Sequence, residues 1–389
     1  MRFDFVPSGE STIGVEWELA LVDAATLDLV PRAQQILEAV DDPKSGPIRR
    51  EYLTDMVELV TGVHHRVGEA MGDLSDSLER VKQILGTDTR LLGAGAHPID
   101  KAADSEPFDF WRYNVVKERN AYWGRQMAIF GTHIHVGIDH RDKALPITYG
   151  LARFSPYFIA LSASSPFWEG EDSGYASQRT MIFQQLPTNG LPYPMDSWEE
   201  FEHYATELED AGMISAPNEI RWDVRPSTFG TVENRVLDSV PTFAELGALT
   251  ALTQCLVEYM SRELDDGRAI ARLPVWFMKE NKWRAARYGL DTDVITPRVK
   301  DKLRPIREGI EDWLNRLEPI SAELGCADEL RFVAELMEAG PSYLRQRAAG
   351  DPRAALRQLV DETGAAVPAR LPFSASETLN GPPPRNTPE

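Results

Sequence analysis

Cysteine is nearly absent. Cys255 and Cys326 are the only two in 389 residues, too few for a disulfide scaffold or a cysteine-built metal knuckle. Cys255 lies within an apolar helical run, and both read as reduced and inert. No apolar stretch approaches the roughly 18 residues of a membrane helix. The N-terminus, MRFDFVPSGEST, has an acidic residue and a proline where a signal peptide would carry its apolar core. Basic residues are in deficit, with 41 Lys and Arg against 61 Asp and Glu. A footprint on nucleic acid or an anionic membrane needs the opposite balance, so neither partner is expected. A local cluster of arginines can still hold a small anion. No GxxxxGK[ST] sequence occurs, which removes support for a P-loop enzyme. There is no internal repeat, and no low-complexity segment before the tail. A cytoplasmic, enzyme-sized protein acting on small molecules remains, with monomer and homo-oligomer both open.

The hydrophobic fraction of 42% is enough for one large core or two ordinary ones. Strand signals, β-branched or aromatic residues at period two, fall at Thr12–Val22, around Arg50–Thr61, and at Arg90–Ala96, Ile129–Asp139, Glu219–Arg225 and Thr231–Val240. Helix signals lie between them. Ser197–Glu200 and Thr242–Glu245 read as capping boxes. The second opens the apolar run Phe243–Met260, and Ile306, Ile310, Trp313, Leu314 and Leu317 form one stripe of a later helix. The link between Glu219–Arg225 and Thr231–Val240 contains Pro226 and Gly230, short enough to demand a hairpin. The expected architecture is α+β: an antiparallel or mixed sheet with helices on one face. One catalytic domain is expected over residues 1–368, sheet-rich to about residue 240 and helical from about 241. A polar, proline-rich, disordered tail follows over 369–389.

Four of the strands share an unusual polarity. Successive side chains on a strand point to opposite faces, so each strand splits by parity. In GVEWELAL, Gly14, Glu16, Glu18 and Ala20 oppose Val15, Trp17, Leu19 and Leu21. In GTHIHVGID, Gly131, His133, His135, Gly137 and Asp139 oppose Thr132, Ile134, Val136 and Ile138. In EIRWDVR, Glu219, Arg221, Asp223 and Arg225 oppose Ile220, Trp222 and Val224. In TVENRVL, Thr231, Glu233 and Arg235 oppose Val232 and Val236. A merely solvated face would show Lys, Ser, Thr and Gln; here lysine is absent, and the interleaved glycines suggest a close approach to the backbone. Carboxylates are the hard oxygen ligands of Mg²⁺, and arginine forks grip phosphate or carboxylate. Together they suit phosphoryl transfer, in which positioning and charge neutralisation dominate.

The segments GVEWEL, EYLTDMVEL, GTHIHVGI, SSPFWEGEDSGYASQR, RPSTFGTVENRVLDSV and NKWRAARYGLD, spanning roughly residues 12 to 292, resemble in their order the glutamate–cysteine ligase type 2 family of ATP-dependent carboxylate–amine ligases. The resemblance implies a glutamine-synthetase-like fold, an antiparallel sheet curled into a half-barrel with its site on the concave face and helices on the convex one. It implies two or three Mg²⁺ ions held by Glu16, Glu18, Glu51, Glu58 and Glu233. Glu51 also contacts the amino-acid substrate, and the seven-residue spacing from Glu51 to Glu58 requires a bend between them. His135, with His133 as companion, resembles a nucleotide and metal residue, and Arg225 and Arg235 resemble cations for phosphate or substrate carboxylate. Arg179, in the loop after SSPFWEG, stands as a substrate residue or as a loop-stabilising ion pair. Asn281, Arg284 and Arg287 stand as ATP contacts or as a solvated basic face. Trp17 occupies a position where the family commonly carries another acidic residue, and its apolar parity removes it from metal binding.

The implied reaction phosphorylates the γ-carboxylate of glutamate with ATP and couples the acyl phosphate to the amine of cysteine, or of another acceptor, releasing ADP and phosphate. Glu233 and Arg235 carry the catalytic roles, Arg235 by stabilising the acyl phosphate or the oxyanion. The rival reading is a zinc hydrolase on His133 and His135, with His97 or His64 as a further ligand. The surrounding carboxylates and arginines argue for Mg²⁺ and phosphate instead. A guanidine kinase on a related fold is a second rival.

Overall fold

The computed structural model describes residues 3–297 and 302–369. The segment expected to form a disordered tail lies, apart from its first residue, outside the described residues. Seven strands make the principal sheet: β1 (Ile13–Asp23), β2 (Ile48–Arg49), β3 (Met56–Val60), β4 (Thr89–Leu92), β5 (Gly131–Gly137), β6 (Val224–Ser227) and β7 (Thr231–Asp238). Their order is β6-β7-β5-β1-β3-β2, with β4 also paired to β1 beyond the end of β3, and every pairing is antiparallel. The mixed α/β character and the antiparallel sheet follow the expectation.

One face of the sheet is apolar by parity and carries the core. Val15, Trp17, Leu19 and Leu21 of β1 join Val57 and Leu59 of β3, Ile134 and Val136 of β5, and Val232 and Val236 of β7 in a single buried cluster. Trp17 is fully buried there, and its indole N–H is satisfied by the Val240 carbonyl at 3.0 Å. Helices α1 (Val67–Leu85), α2 (Arg141–Ala152), α3 (Ser155–Ser162) and α4 (Phe243–Asp265) pack against this face. Each methylene-sized group removed from water there contributes about 0.8 kcal/mol. The Thr242 hydroxyl caps α4 by accepting the Glu245 N–H, and Ser197 caps the helix Trp198–Asp210 likewise, as both capping boxes predict.

Three strand assignments change. The segment around Arg50–Thr61 is not one strand: β2 and β3 pair with each other, and the chain between them turns at Thr54 and Asp55. This supplies the bend that Glu51 and Glu58 require. Glu219–Arg225 is broken as well. Pro217–Glu219 is a 3₁₀ turn, Arg221–Trp222 pairs in parallel with Asn189–Gly190, and only Val224–Ser227 joins the main sheet. Pro217 favours the turn, because its ring presets φ and it has no N–H for a ladder. Pro226 is tolerated inside β6 because β6 is an edge strand. The strand expected at Arg90–Ala96 stops at Leu92. Added side-chain atoms at Gly93 would meet the Val240 carbonyl and Pro241, so the chain there runs too close to its neighbour for an ordinary residue.

Candidate functional site

Cross-strand register assembles the polar face. Glu16 stands opposite His133, Glu18 opposite Glu58, His135 opposite Glu233, and Glu233 opposite Arg225. Directly paired residues share a face, so these side chains form one continuous field across β6, β7, β5, β1 and β3. A register shift in the β5–β7 pairing between Asn234 and Leu237 coincides with Arg235. Such a bulge redirects a side chain, and Arg235 joins the field. The field lines a cavity of about 550 Å³, which also receives Glu51, Arg179 and Arg221.

The ten residues predicted from sequence as site residues therefore all lie in one cavity. Their carboxylates do not behave alike. His133 Nδ1 donates to Glu16 over 2.8 Å. Burial would raise the Glu16 pKa, but hydrogen bonds and charge from His133 and His135 hold it well below the usual range. Burial likewise opposes ionisation of Glu233, and the guanidinium charges of Arg225 and Arg235 overcome it. Arg225 donates through Nε to Glu233 Oε2 at 2.6 Å and through Nη2 to Oε1 at 3.2 Å, and Arg235 Nη1 donates to that same Oε1. Glu18, Glu51 and Glu58 go the other way. Burial, then the charge of Glu51, pushes Glu18 up to about 8. Burial raises Glu51, and burial with repulsion from Glu16, Glu51 and Glu18 raises Glu58 well above its usual value. Three buried acids crowded together favour a bound cation.

Two groups of donors are close enough to hold a divalent cation: Glu16, His133 and Glu233, and Glu18, Glu58 and His133. Glu51 belongs to neither. Burial and the Arg235 charge push His133 down to about 4, which leaves its imidazole neutral at pH 7. His135 Nδ1 is hydrogen-bonded to Thr231 Oγ1 at 2.8 Å, while its buried Nε2 has only a long, poorly aligned approach to Glu16 Oε1 at 3.4 Å. Arg179 Nε and Arg235 Nε are unpartnered. A hard oxygen set with unmatched buried donors beside it fits a magnesium-type ion and an anionic ligand.

Residues 12–362 match the sequence profile of Glutamate-cysteine ligase family 2. The chain belongs to glutamate-cysteine ligase family 2. A family relative in Paenarthrobacter aurescens strain TC1, provisionally named glutamate–cysteine ligase 2-2, is 46% identical, the match covering 93% of this chain and 98% of that one. Another, from Mycobacterium sp. strain JLS and provisionally named glutamate–cysteine ligase 2-1, is 47% identical over 89% of this chain and 92% of its own. Glutamate–cysteine ligases form a carbon–nitrogen bond, so family membership makes this chain a ligase of that type. Among solved structures, the Francisella tularensis glutamate–cysteine ligase in complex with AMP superposes with TM-score 0.65 at 13% identity. It covers 92% of this chain and 88% of that one. A bifunctional glutathione synthetase from Pasteurella multocida gives 0.62 at 16% identity over 90% of this chain and 51% of its own. Both likenesses concern the fold.

Several sequence expectations are corrected within this family frame. Asp223, predicted on the polar face, points away and is buried in an ion pair with Lys282 at 2.6 Å. The broken strand at Ile220–Asp223 shifts its parity. Arg179 is not in a loop: Ser177 caps the helix Gln178–Phe183 and sets Arg179 in its first turn, buried against the Gly131 backbone. The glycines of β5 do admit close neighbours, but these are Arg179 at Gly131 and the Gly9 carbonyl at Gly137. Asn281, Arg284 and Arg287 of helix Val275–Tyr288 lie outside the cavity. Asn281 is buried and bonded to the Ile295 backbone, Arg284 is bonded to Glu280, and Arg287 is bonded to the Gly174 carbonyl, so neither ATP contact nor a solvated basic face describes them. The zinc reading fails because its extra ligands are elsewhere. His64 is held by Asp73 at 2.6 Å and His97 by the Leu27 carbonyl at 2.9 Å. Arg221 stood on the predicted polar face without a role, while Tyr52 and Tyr113, also lining the cavity, carried no sequence signal.

Proposed function

We propose that this chain is an ATP- and magnesium-dependent carboxylate–amine ligase that activates the γ-carboxylate of glutamate and joins it to the amine of cysteine. The convergence of six glutamates, two histidines and four arginines on one cavity over the polar face of the sheet carries this reading. The sheet would then be the half-barrel of glutamine-synthetase-like enzymes, and residues 1–368 one cytoplasmic catalytic unit. Glu16, Glu18, Glu58 and Glu233 would hold Mg²⁺ together with His133, and Glu51 would complete the acidic set nearer the amino-acid substrate. The bound ions supply charge neutralisation of the polyphosphate.

A carboxylate is a poor electrophile with oxide as its leaving group, so it needs activation before an amine can attack. Its oxygen attacks the γ-phosphorus, ADP departs, and an acyl phosphate forms. The amine nitrogen then attacks the carbonyl, the C–O bond breaks, and phosphate leaves, taking up the proton that the nitrogen loses. His135, Arg225 and Arg235 bind the transferring phosphate, with His133 beside them. Arg179 and Arg225 hold the amino acid. Arg235 stabilises the acyl phosphate and the tetrahedral oxyanion, since Glu233 fixes its guanidinium in place before the charge develops. The test is phosphate release from ATP, Mg²⁺ and glutamate, screened across cysteine, other amino acids and simple amines. Release of ADP and free phosphate in equal amounts, dependent on one amine, is the expected result. A stable phosphorylated product, or no ADP with any amine, removes the reading.

The raised acids also predict how the metal binds. Glu18 and Glu58 have folded pKa values above their usual ones, so the metal-free protein retains protons that a cation must displace. Mg²⁺ affinity should therefore rise with pH through neutrality and go on rising past about 8, the value to which Glu18 is raised. Calorimetric titration in buffers of different ionisation enthalpy should show net proton release at pH 7. Binding that is indifferent to pH and releases no proton would show that these acids are not the ligands.

A further inference from the structure

The four arginines of the cavity are not equivalent. Arg225 and Arg235 share Glu233, and Arg225 Nη1 also donates to the carbonyls of Asn218 and Ile220 at 2.7 and 2.9 Å. Their charge is already matched within the protein. Arg179 is buried against the Gly131 backbone, with Asp238 and Glu18 as its nearest opposing charges. Arg221 differs from all three. Its side chain lines the cavity, yet it forms no ion pair with any described carboxylate.

Its backbone is held firmly. The Arg221 N–H donates to the Thr188 carbonyl at 3.1 Å, and Arg221 pairs with Asn189. The next residue, Trp222, is fully buried and stacks on Tyr204 at 5.5 Å. The guanidinium is thus carried on a rigid anchor with its charge left open to the cavity. A desolvated cation without a partner is costly, and an arginine fork is matched by a carboxylate or a phosphate.

The surroundings choose between those two anions. The charges that act on Arg221 are those of Glu219, then of Arg235 and Arg225, then of Glu51, and its own charge is felt at Tyr52. Carboxylates and guanidiniums interleaved around the fork set opposite charges close together. They complement a zwitterion, whose ammonium sits next to its carboxylate. Glu51 is also free of both donor groups that can hold a metal, which leaves it available for an ammonium.

We propose that Arg221 binds the non-reacting α-carboxylate of the amino-acid substrate, with Glu51 beside it receiving the α-ammonium. This rests on the ligase reading only for the identity of the substrate. The pair would select an α-amino acid over a simple carboxylic acid and place its distal carboxylate toward the metal-binding acids.

Direct binding tests it without turnover. Wild-type protein with Mg²⁺ and a non-hydrolysable ATP analogue is titrated calorimetrically with L-glutamate and with 4-aminobutyrate, which is the same molecule without its α-carboxylate. L-glutamate should bind at least about tenfold tighter, as loss of one charge-assisted pair implies. R221Q should lose that margin, binding L-glutamate about tenfold or more weakly while 4-aminobutyrate and the nucleotide bind as before, and R221K should restore part of it. Equal binding of the two compounds by the wild type overturns the proposal and needs no variant. So does an R221Q protein that weakens for nucleotide but not for L-glutamate. If the wild type discriminates as expected but forms no ADP with any amine, the ligase reading falls and the assignment of Arg221 stands. If ADP forms while R221Q leaves glutamate binding unchanged, the Arg221 assignment falls alone.

Discussion

Glu16→Gln is expected to lower kcat/KM for ADP formation by about 10³-fold or more, with the fold intact. The side chain stands at the centre of the field, hydrogen-bonded to His133 at 2.8 Å and 3.4 Å from His135 Nε2. Glutamine keeps the size and can still accept from His133, so packing is preserved. The negative charge is lost, and with it both a metal ligand and the counter-charge for His135. Several kcal/mol of transition-state stabilisation depend on such a ligand, and each 1.36 kcal/mol is about a factor of ten in rate. Far-ultraviolet circular dichroism and a denaturant midpoint near that of the wild type would confirm folding. Turnover within about tenfold of wild type would remove Glu16 from the metal site.

Glu233→Gln is expected to cost both activity and stability, and the second loss separates it from Glu16. Glu233 is 1% exposed and is the carboxylate that Arg225 and Arg235 share. Removing it leaves two buried guanidinium groups without a counter-charge, a change of about 3–5 kcal/mol. For a protein of ordinary stability that is a large part of the whole, so the urea midpoint should fall steeply. Adding Arg225→Gln to Glu233→Gln should return part of the stability, because one unmatched charge is removed, and none of the activity. If the single variant unfolds at the wild-type midpoint, the Arg–Glu–Arg arrangement is not the buried anchor described here. If it turns over normally, Glu233 is not a functional residue.

These two glutamates also show how much of the site is legible in the sequence. Glu16 was legible because GVEWELAL keeps strict alternation over the whole strand, so its face follows from its number. The same holds for His133, His135 and Glu233. Arg235 was assigned to the correct side although the pairing of β7 with β5 shifts at that point; regular alternation and the bulge lead to the same cavity. Asp223 departs from the polar face because a 3₁₀ turn at Pro217–Glu219 and a two-residue strand interrupt the alternation. Its carboxylate then finds Lys282, 59 residues away, rather than the cavity. Arg179 reached the site through a helix cap at Ser177, which a loop reading does not supply. Glu51 needed the turn at Thr54 and Asp55, which the family resemblance implied and periodicity did not.

The chain alone determined the chemistry on offer: acids, imidazoles and guanidiniums on strand faces opposite an apolar core, in an order characteristic of one ligase family. A residue's face depends only on local period, and that information is local. Tertiary structure alone decided which of these groups meet. It placed Glu18 and Glu58 side by side while leaving Glu51 outside both metal-competent groups, gave Arg225 and Arg235 to Glu233, and left Arg221 facing the cavity unmatched. Those outcomes depend on register, a bulge and turns closed by contacts between segments far apart in sequence, and no local pattern encodes a distance between two such segments.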